Sequence, residues 1–481
     1  MARMPISNAY IAWRAESRPA LRLSDDAPPP ERLLQAVWQH QRLQRGQLRL
    51  LDGRPLTVIH PGFWNHEPGP DFRGAVLQFA GEPPCVGDVE IDLAAQAWRG
   101  HGHADNPAYR EVILHIVWNG AARANLPTLA LQPFLDAALA DLNFWHGHES
   151  VRRLPLELAG HCRAPLKELG DAARATLLQQ AALCRLQAKA TWFEARARQS
   201  GWEQSLWEGL FRALGYKHNS WPMQRLAELL PRLRDSGHGS APLSRLDWQA
   251  RLLGLSGLLP ADPPARGRGA SQHHRELWDI WWRQRDALAD CALPRTAWHL
   301  GGLRPANHPQ RRLALASHWL HDNTLIARLE KWLGTALTHP HPEAELLAVL
   351  SPAADEFWSR QWTLNSARME RPQPLLGATR ATDLAINVLL PWFWSRAAAG
   401  ANETIRREVE RLYLLWPKAE DNAVLRLARE RLLGGASDKS LRTAAEQQGL
   451  LQIVRDFCDH SNAACEGCEF PELVRRLVAG G

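Results

Sequence analysis

The stretch that decides the fold is VGDVEIDL at residues 86–93. Its acidic and apolar side chains alternate, and successive side chains of a strand point to opposite sides of the sheet. The acidic series consists of Asp88, Glu90 and Asp92. The stretch therefore predicts a β-strand with three carboxylates on one face and apolar side chains on the other.

Other short strands are predicted around this stretch. Strand-like runs cover residues 48–51, 56–59, 75–79, 112–118 and 129–131. The first two flank Asp52-Gly53, a dipeptide typical of a hairpin turn. An amphipathic helix is predicted over 31–44, and one or two helical turns over 106–111. This order of elements is that of an α/β domain.

From Asp171 onward the apolar pattern is helical almost to the end. Helices are predicted near 171–192, 206–214, 223–234, 247–259, 274–289, 309–320, 323–337, 380–399, 404–415, 421–433 and 441–458. Gly215 is expected to end the second of these helices, and residues 261–272 are the clearest internal linker. The fold class is predicted to be α+β. Its parts are a loose N-terminal arm (1–30), an α/β domain (31–150) and an α-helical domain with a Cys-rich tail (151–481).

The composition indicates a globular protein with more than one domain. The 481 residues are 45% hydrophobic and 22% charged, as in folded soluble domains. We expect no membrane span, because no apolar stretch approaches the roughly 18–20 residues that a span needs. The N-terminus lacks the apolar core of a secretory signal, and the seven irregularly spaced cysteines do not suggest a disulfide framework. We therefore expect a cytoplasmic protein, and the sequence leaves its oligomeric state open.

The basic residues permit nucleic-acid binding. The net charge is +6, and only six of the 57 basic residues are lysines. Arginine binds phosphate through two parallel hydrogen bonds, although codon usage can also enrich it. The loop over 302–312, which leads into a helix, is either a phosphate site or a packing turn. The candidate nucleic-acid contacts are Arg73, Arg99, Arg304, Arg311 and Arg312.

The acidic residues form the main candidate site. Asp71 lies in the turn Gly69-Pro70-Asp71-Phe72, one strand before Glu90. Phosphodiester hydrolysis needs a cation that neutralises developing charge and polarises water. Mg²⁺ is usually held by one or two carboxylates together with water. The sequence therefore predicts an Mg²⁺ or Mn²⁺ site with Asp71, Glu90 and Asp88 as ligands. Alternatively, the motif is a simple turn and the acids are the solvated face of an edge strand.

This pattern resembles the PD-(D/E)xK, restriction-endonuclease-like nuclease superfamily, whose core order is αβββαβ. The resemblance implies that Asp71 belongs to the first motif and Glu90-Ile91-Asp92 to the second. It further implies that Asp71 and Glu90 bind the metal, with the Ile91 carbonyl as a third ligand. The superfamily has Lys at the position of Asp92, and no lysine precedes Lys167 in this chain. Asp92 itself, a histidine or an arginine would have to replace it.

Further motifs are spread along the chain. They are Pro61-Gly62, Asn65, Gly69-Pro70-Asp71-Phe72, Gly87-Asp88-Val89-Glu90-Ile91, His101-Gly102-His103, Asp105, Tyr109, Val112-Ile113-Leu114-His115, Leu214-Gly215-Tyr216, Asn219, Arg304-Pro305-Ala306-Asn307, Pro309 and the Cys-rich tail. With these motifs the chain resembles an uncharacterised bacterial family, domain of unknown function 2851. That resemblance implies no established activity, so the nuclease interpretation is an analogy of fold and motif.

Histidines lie on both sides of the acidic motifs. They are His60, His66, His101, His103 and His115. A His-x-His pair with a third histidine suits Zn²⁺. Alternatively, His103 or His115 activates water in place of the missing Lys, since histidine titrates near neutrality. Hydrogen bonding within loops is the simplest alternative for each of them.

Cys458, Cys465 and Cys468 form a second candidate metal site. A Cys-x-x-Cys pair supplies half of a structural Zn²⁺ site, and Cys458 adds a third thiolate. The fourth ligand would be His460 or the distant Cys162. An iron–sulfur cluster is an alternative to zinc, and three free thiols are an alternative to both.

Together these patterns predict a metal-dependent nuclease or a nuclease-derived nucleic-acid-binding protein. Asp71 and Glu90 would hold the metal, while Asp92, His103 or His115 would handle the attacking water. Two alternatives belong to other classes. One is a non-catalytic scaffold on a degenerate nuclease fold that binds a protein partner, and the other is a zinc hydrolase built on the histidines.

Overall fold

The computed structural model of the protein describes most of the chain. The described residues are 9–17, 29–65, 68–94, 106–120, 126–139, 141–142, 160–235, 242–260, 272–434, 441–458, 465 and 468–480. The chain divides into two compact units, each drawn from separate stretches. Unit 1 comprises 1–42, 135–198 and 385–481, and unit 2 comprises 43–134 and 199–384. The contiguous division at residues 30 and 150 stays a prediction.

A mixed β-sheet lies in unit 2. Its strands are β1 (Leu56–His60), β2 (Phe63–Trp64), β3 (Phe72–Phe79), β4 (Cys85–Ala94), β5 (Val112–Asn119) and β6 (Thr128–Ala130). The strand order is β1-β3-β4-β5-β6, and β2 also pairs with β3. The pairs β1–β3 and β3–β4 are antiparallel, whereas β4–β5 and β5–β6 are parallel. The strands predicted at 56–59, 75–79, 86–93, 112–118 and 129–131 are confirmed, and β4 lies at the centre of the sheet. The run at 48–51 is not a strand, because it contributes only the isolated bridge between Arg49 and Pro55.

Helices make up most of the remaining structure. They are α1 (Ala9–Ser17), α2 (Glu31–His40), α3 (Arg163–Glu168), α4 (Asp171–Ser200), α5 (Trp202–Leu214), α6 (Ser220–Glu228), α7 (Leu230–Asp235), α8 (Arg245–Leu255), α9 (Gln272–Trp282), α10 (Arg285–Leu288), α11 (Pro309–His321), α12 (Leu325–Ala336), α13 (Pro342–Leu350), α14 (Ala378–Leu384), α15 (Leu390–Ala399), α16 (Glu403–Leu415), α17 (Ala423–Leu433), α18 (Ala444–Ile453) and α19 (Phe470–Gly480). Two π-helical segments, Ala385–Leu389 and Val454–Cys458, adjoin α15 and α18. An α+β fold class is confirmed.

A buried arginine joins the sheet to a helix of unit 2. Arg45 lies in the turn before β1, and its Nε is 2.6 Å from the Glu228 carboxylate at the end of α6. Its Nη2 donates to the Val58 carbonyl of β1 at 2.8 Å. The desolvation cost of a buried ion pair is offset when hydrogen bonds satisfy both partners. This contact therefore fixes α6 against the first strand.

The N-terminal arm is not loose throughout, in contrast to the prediction. Residues 9–17 form α1, whose Tyr10 side chain is fully buried. The Tyr10 hydroxyl donates to Asp456 Oδ2 at 2.5 Å, and Arg14 Nε lies 3.2 Å from the same oxygen. A short helix gains most of its stability from tertiary packing. The sequence alone therefore gave only a weak signal for this helix.

Several predicted helices differ in detail from the structure. The helix predicted over 223–234 is interrupted near Pro231, and the helix over 342–350 was not predicted. Gly215 does not adopt the expected left-handed conformation, because its φ is −75° and Tyr216 has the positive φ of 54°. A Cβ at Gly215 would lie 2.2 Å from the Asn219 carbonyl oxygen. Glycine is required there because the Asn219 backbone approaches closely, and not because φ is positive. The predicted linker lies almost wholly outside the described residues.

Within the described residues, no helix combines the length and the apolar character that a membrane crossing requires.

Candidate functional site

Two acidic residues meet where β3 and β4 pair. Asp71 immediately precedes β3, whose first residue, Phe72, is opposite Val89 of β4. The Asp71 amide donates to Glu90 Oε2 at 3.0 Å, and the Ile91 amide donates to Asp71 Oδ2 at 3.1 Å. The Glu90 carboxylate thus accepts the amide of Asp71 itself, and the Asp71 carboxylate accepts the amide of the residue after Glu90. This reciprocal contact fixes both carboxylates relative to the backbone.

The turn before β3 sets the direction of Asp71. Gly69 has a φ of +125°, and a Cβ there would lie 3.2 Å from Arg73 Nη2. Asn65 closes the turn, since its Nδ2 donates to the Pro70 carbonyl at 2.9 Å and its amide to the Asp71 carbonyl at 2.7 Å. The Gly-Pro-Asp motif therefore has a structural reason, because glycine adopts this φ without steric cost.

Asp92 and His115 form a buried pair on β4 and β5. The His115 Nε2 lies 3.0 Å from Asp92 Oδ2, and the exposed fractions of the two residues are 0% and 2%. In the parallel register His115 is opposite Glu90, two residues before Asp92 on the same face of β4. Glu90 is also buried, with 6% exposed. The interpretation of these acids as the solvated face of an edge strand is therefore wrong.

Tyr109 is a member of the site that the functional prediction omitted. It lies in a short 3₁₀ turn whose first amide is capped by Asn106 Oδ1 at 3.0 Å. Burial, followed by the negative charges of Glu90, Asp71 and Asp92, raises the pKa of Tyr109 to about 12. The phenol therefore lies in the field of all three carboxylates. The sequence signals for Tyr109 were its place among the motifs of the family resemblance and its position in an Asn-Pro turn between two strands.

Asp88 has a different environment from the other three acids. Its Oδ1 accepts a hydrogen bond from the Gly74 amide at 3.0 Å. The pairing of β3 with β4 shifts between Phe72 and Ala75, and Gly74 has a φ of +65° within that irregularity. The carboxylate thus supports a β-bulge, and its charge is not among those that act on Tyr109. Asp88 does not join Asp71 and Glu90 as a third ligand, because no three such side chains within the described residues are arranged to hold a metal ion.

The histidines near the site fall into two groups. His66, His101 and His103, together with Arg99, lie outside the described residues. His60 is buried in β1, and its Nδ1 accepts a hydrogen bond from the Gly62 amide at 3.0 Å. Burial lowers the pKa of His60 to about 4, so its imidazole is neutral near pH 7.

The candidate phosphate-binding arginines are not equivalent. Arg73 and Arg304 are exposed, whereas Arg311 and Arg312 are buried at the start of α11. Arg311 donates to the carbonyls of a neighbouring loop, and Arg312 donates to the Leu375 carbonyl at 2.7 Å. A phosphate would have to displace these hydrogen bonds. The geometry of Arg311 and Arg312 is that of residues that hold a loop.

A polar cavity of about 690 Å³ lies among the helices of unit 2. Arg245, Arg360 and Arg368 contribute to its lining, together with Asp355. Burial alone would raise the pKa of Asp355, but hydrogen bonds, chiefly from His318 at 2.9 Å, lower it to about 2. The cavity shares no residue with the acidic site, and its charges are balanced between arginines and carboxylates.

The structure brings the three predicted tail cysteines together with Cys162 in unit 1. The other candidate fourth ligand, His460, lies outside the described residues. In the part of the chain that the structure describes, no three or more His, Cys, Asp or Glu side chains are arranged to hold a metal ion. In the acidic site, therefore, the donor set for a cation is the pair Asp71 and Glu90, which is the number of carboxylates that Mg²⁺ usually takes.

The fold and site define an α+β protein with a clustered acidic site on the central strands of a mixed sheet. The chain belongs to the family described as "protein of unknown function (DUF2851)", whose match covers residues 31–423. This match includes the sheet and the acidic site. No curated protein and no solved structure matches the chain.

Proposed function

We propose that the protein is a metal-dependent nuclease whose active site is formed by Asp71, Glu90 and Asp92. The observation that carries the proposal is the reciprocal contact of Asp71 and Glu90 across β3 and β4. It supports the restriction-endonuclease-like interpretation, because the two acids come from the two motifs that this resemblance pairs. The strand order also supports it, with an antiparallel β1-β3-β4 set followed by β5 parallel to β4.

Mg²⁺ or Mn²⁺ would be held by Asp71 and Glu90, with water and a phosphate oxygen as the other ligands. The bound cation would supply charge neutralisation and polarisation of the attacking water. Carboxylates that lie close together disfavour one another's charge, and Asp71, Glu90 and Asp92 lie close enough together for all three to act on Tyr109. A cation at Asp71 and Glu90 relieves that repulsion, so the electrostatics of the site favour its binding.

Asp92 is proposed to accept the proton of the attacking water, in place of the absent Lys. Its carboxylate is oriented by His115, which is fully buried and therefore acts through Asp92. A hydrogen bond between an imidazole and a carboxylate commonly orients a catalytic group. Tyr109 borders the same three carboxylates, and its hydroxyl is proposed to donate a hydrogen bond to a phosphate oxygen.

The test is cleavage of single- and double-stranded DNA and RNA by the full chain with Mg²⁺ or Mn²⁺. Asp71→Asn and Glu90→Gln keep the oxygens that accept the Ile91 and Asp71 amides, so the fold is retained while the charge is lost. We expect each variant to lose at least about 100-fold in rate, the order of magnitude of a lost charge-stabilising group.

Asp88→Asn is the matched control for this assay. It removes a carboxylate from the same strand and retains the acceptor for the Gly74 amide. The proposal predicts near wild-type cleavage for this variant. Equal inactivity of wild type, Asp71→Asn and Glu90→Gln on all four substrates would refute the nuclease function.

A specific observation also favours the non-catalytic alternative. The carboxylate oxygens of Asp71 and Glu90 accept backbone amides, which is a stabilising role in itself. On this alternative the protein binds nucleic acid or a protein partner without cleavage. Salt-dependent nucleic-acid binding that is unchanged by Asp71→Asn and occurs without cleavage would support it.

A further inference from the structure

Four of the seven cysteines gather in the core of unit 1. Cys162 immediately precedes α3, and Cys458 is the last residue of the π-helical segment after α18. Cys465 and Cys468 follow, and the Cys468 amide donates to the Cys465 carbonyl at 3.3 Å. Cys162, Cys458 and Cys468 belong to one apolar cluster. All four are free thiols.

The packing of three helices explains how distant segments meet. Helix α3 packs against both α17 and α19. The Gly160 amide donates to the Arg431 carbonyl of α17 at 2.8 Å, and a Cβ at Gly160 would lie 3.2 Å from Cys162 Sγ. The segment before α3 is therefore held close to α17 with no room for a larger residue. This contact holds Cys162 close to the C-terminal cysteines.

A buried arginine donates hydrogen bonds to two of the cysteine sulfurs. Arg431 is 1% exposed, and its Nη2 donates to Cys465 Sγ at 3.2 Å. The same guanidinium hydrogen-bonds Cys458. Cys162 lies close enough to Cys458, Cys465 and Cys468 to interact electrostatically with each of them. The four thiols therefore lie together beside one fixed positive charge.

We infer that Cys162, Cys458, Cys465 and Cys468 are the four thiolate ligands of an iron–sulfur cluster, with Arg431 as a hydrogen-bond donor to its cysteine sulfurs. Four cysteines are the ligand set of [2Fe–2S] and [4Fe–4S] clusters, and hydrogen bonds to sulfur are a standard part of such sites. The surrounding apolar side chains exclude water, which protects the cluster.

The arrangement of the four cysteines does not fit a single zinc ion. A Zn²⁺ site needs all four sulfurs at about 2.3 Å from one centre. The four cysteines are all among the described residues, and within those residues no three ligand side chains are arranged to hold one ion. In a cluster each cysteine binds a different iron or shares one with a single partner, so the four sulfurs need not converge on one centre.

The inferred role of the cluster is structural. Its ligands come from two separate stretches of unit 1, residues 135–198 and 385–481, so the bound cluster would join the α3 segment to the C-terminal helices. Metal binding that ties distant segments together contributes directly to folding free energy. This role is independent of the nuclease proposal, because the four cysteines lie in unit 1 and the acidic site lies in unit 2.

The test is the iron and acid-labile sulfide content of the full chain, produced with iron and purified without oxygen. We expect a broad visible absorption band and about two or four irons per chain with equal sulfide. Cys162→Ala should lose most of the iron. The matched control is Cys184→Ala, since Cys184 lies in the same apolar cluster and is equally buried, at 5% exposed.

The wild-type protein alone can overturn the inference. Zinc without iron, iron without labile sulfide, or neither metal nor sulfide in the anaerobic preparation would each refute it, whatever the variants do. Equal iron in Cys162→Ala and wild type would remove Cys162 from the ligand set and refute the four-cysteine site. If Cys162→Ala does not fold while Cys184→Ala does, native mass spectrometry of the wild type supplies the decisive metal count.

Discussion

The acidic site in unit 2 and the cysteine cluster in unit 1 are assembled in different ways. Asp71, Glu90 and Tyr109 come from adjacent stretches of chain, and strand pairing fixes their positions. The cysteines come from residue 162 and from residues 458–468, and helix packing brings them together. Strand register is propagated by regular hydrogen bonds, whereas helix packing depends on side-chain shape. The acidic site should therefore tolerate local packing errors that would destroy the cysteine cluster.

The largest effect is expected for Gly449→Ala in α18. A Cβ at Gly449 would lie 2.1 Å from the Leu178 carbonyl oxygen of α4. Because the obstacle is backbone, the two helices must separate, and overpacking of this kind costs about 3 kcal/mol or more. We expect lower stability in thermal unfolding and loss of iron from the cysteine cluster.

Gly334→Ala is the control for this substitution. It also lies within a helix, and a Cβ there has nothing within 4 Å. Replacing an open helical glycine by alanine stabilises by about 0.5–1 kcal/mol. If Gly449→Ala were as stable as wild type and kept its iron, the argument from close helix packing would fail.

The next largest effect concerns the sheet and depends on pH. Burial lowers the pKa of His60 to about 4 in the folded protein, against about 6.5 in an unfolded chain. As the pH falls, His60 therefore binds a proton in the unfolded chain before it does so in the folded protein. Stability from neutral His60 is fully present above about pH 6.5 and is lost as the pH falls towards 4, by about 3 kcal/mol in total. Urea unfolding across this range measures the loss.

His60→Asn separates this contribution from other groups. The Asn Oδ1 can accept the Gly62 amide as Nδ1 does, and it does not titrate. We expect its stability to fall less steeply than that of wild type between pH 6.5 and pH 4, which is the window given by the shifted pKa of His60. A wild-type slope in His60→Asn would contradict the prediction.

A smaller effect is expected where β4 meets β5. A Cβ at Gly87 would lie 2.5 Å from Ile113 Cγ2 and 2.9 Å from the Glu111 carbonyl. Gly87→Ala should cost about 2 kcal/mol, because the flexible Ile113 side chain absorbs part of the conflict. Iron at the cysteine cluster should be retained. Gly46→Ala, where nothing lies within 4 Å, should be close to neutral in the same unfolding measurement.

The sequence predicted those features that depend on local periodicity. The alternation in β4 and the Gly-Pro-Asp turn located the strands and the pair Asp71 and Glu90, as the observed register bears out. It did not assign a role to Tyr109, because a single phenol in a turn carries no periodic signal. Arg431 was missed for a similar reason, since its contact with Cys465 depends on how α17 packs against distant segments.

The predicted arginine contacts illustrate the same limit. Arg304 and Arg311 are alike in sequence context, at a loop that leads into a helix. The structure leaves Arg304 exposed and buries Arg311 to 1% exposure, with its guanidinium against loop carbonyls. Burial is set by residues that are distant in the chain, so an arginine-rich motif alone cannot distinguish a phosphate contact from a loop anchor.

The smallest expected effect is electrostatic and tests whether the acidic site acts as one unit. Burial and the charges of Glu90, Asp71 and Asp92 raise the pKa of Tyr109 to about 12. Glu90→Gln removes one of these charges without removing the acceptor for the Asp71 amide. The pKa of Tyr109 should therefore fall towards its ordinary value near 10. Ultraviolet difference titration between about pH 9 and 11 detects this change, since an ordinary tyrosine titrates in that range.

Subtraction of the Tyr109→Phe titration isolates Tyr109 from the three other tyrosines. Asp88→Asn is the control, because Asp88 is not among the charges that act on Tyr109. A bound divalent cation would offset the same carboxylates, so Mg²⁺ should lower the wild-type pKa of Tyr109 and should have less effect in Glu90→Gln. If Glu90→Gln and Asp88→Asn gave identical curves with and without Mg²⁺, the three carboxylates would not share one field. The acidic site would then be, unlike the cysteine cluster, a set of separate backbone contacts.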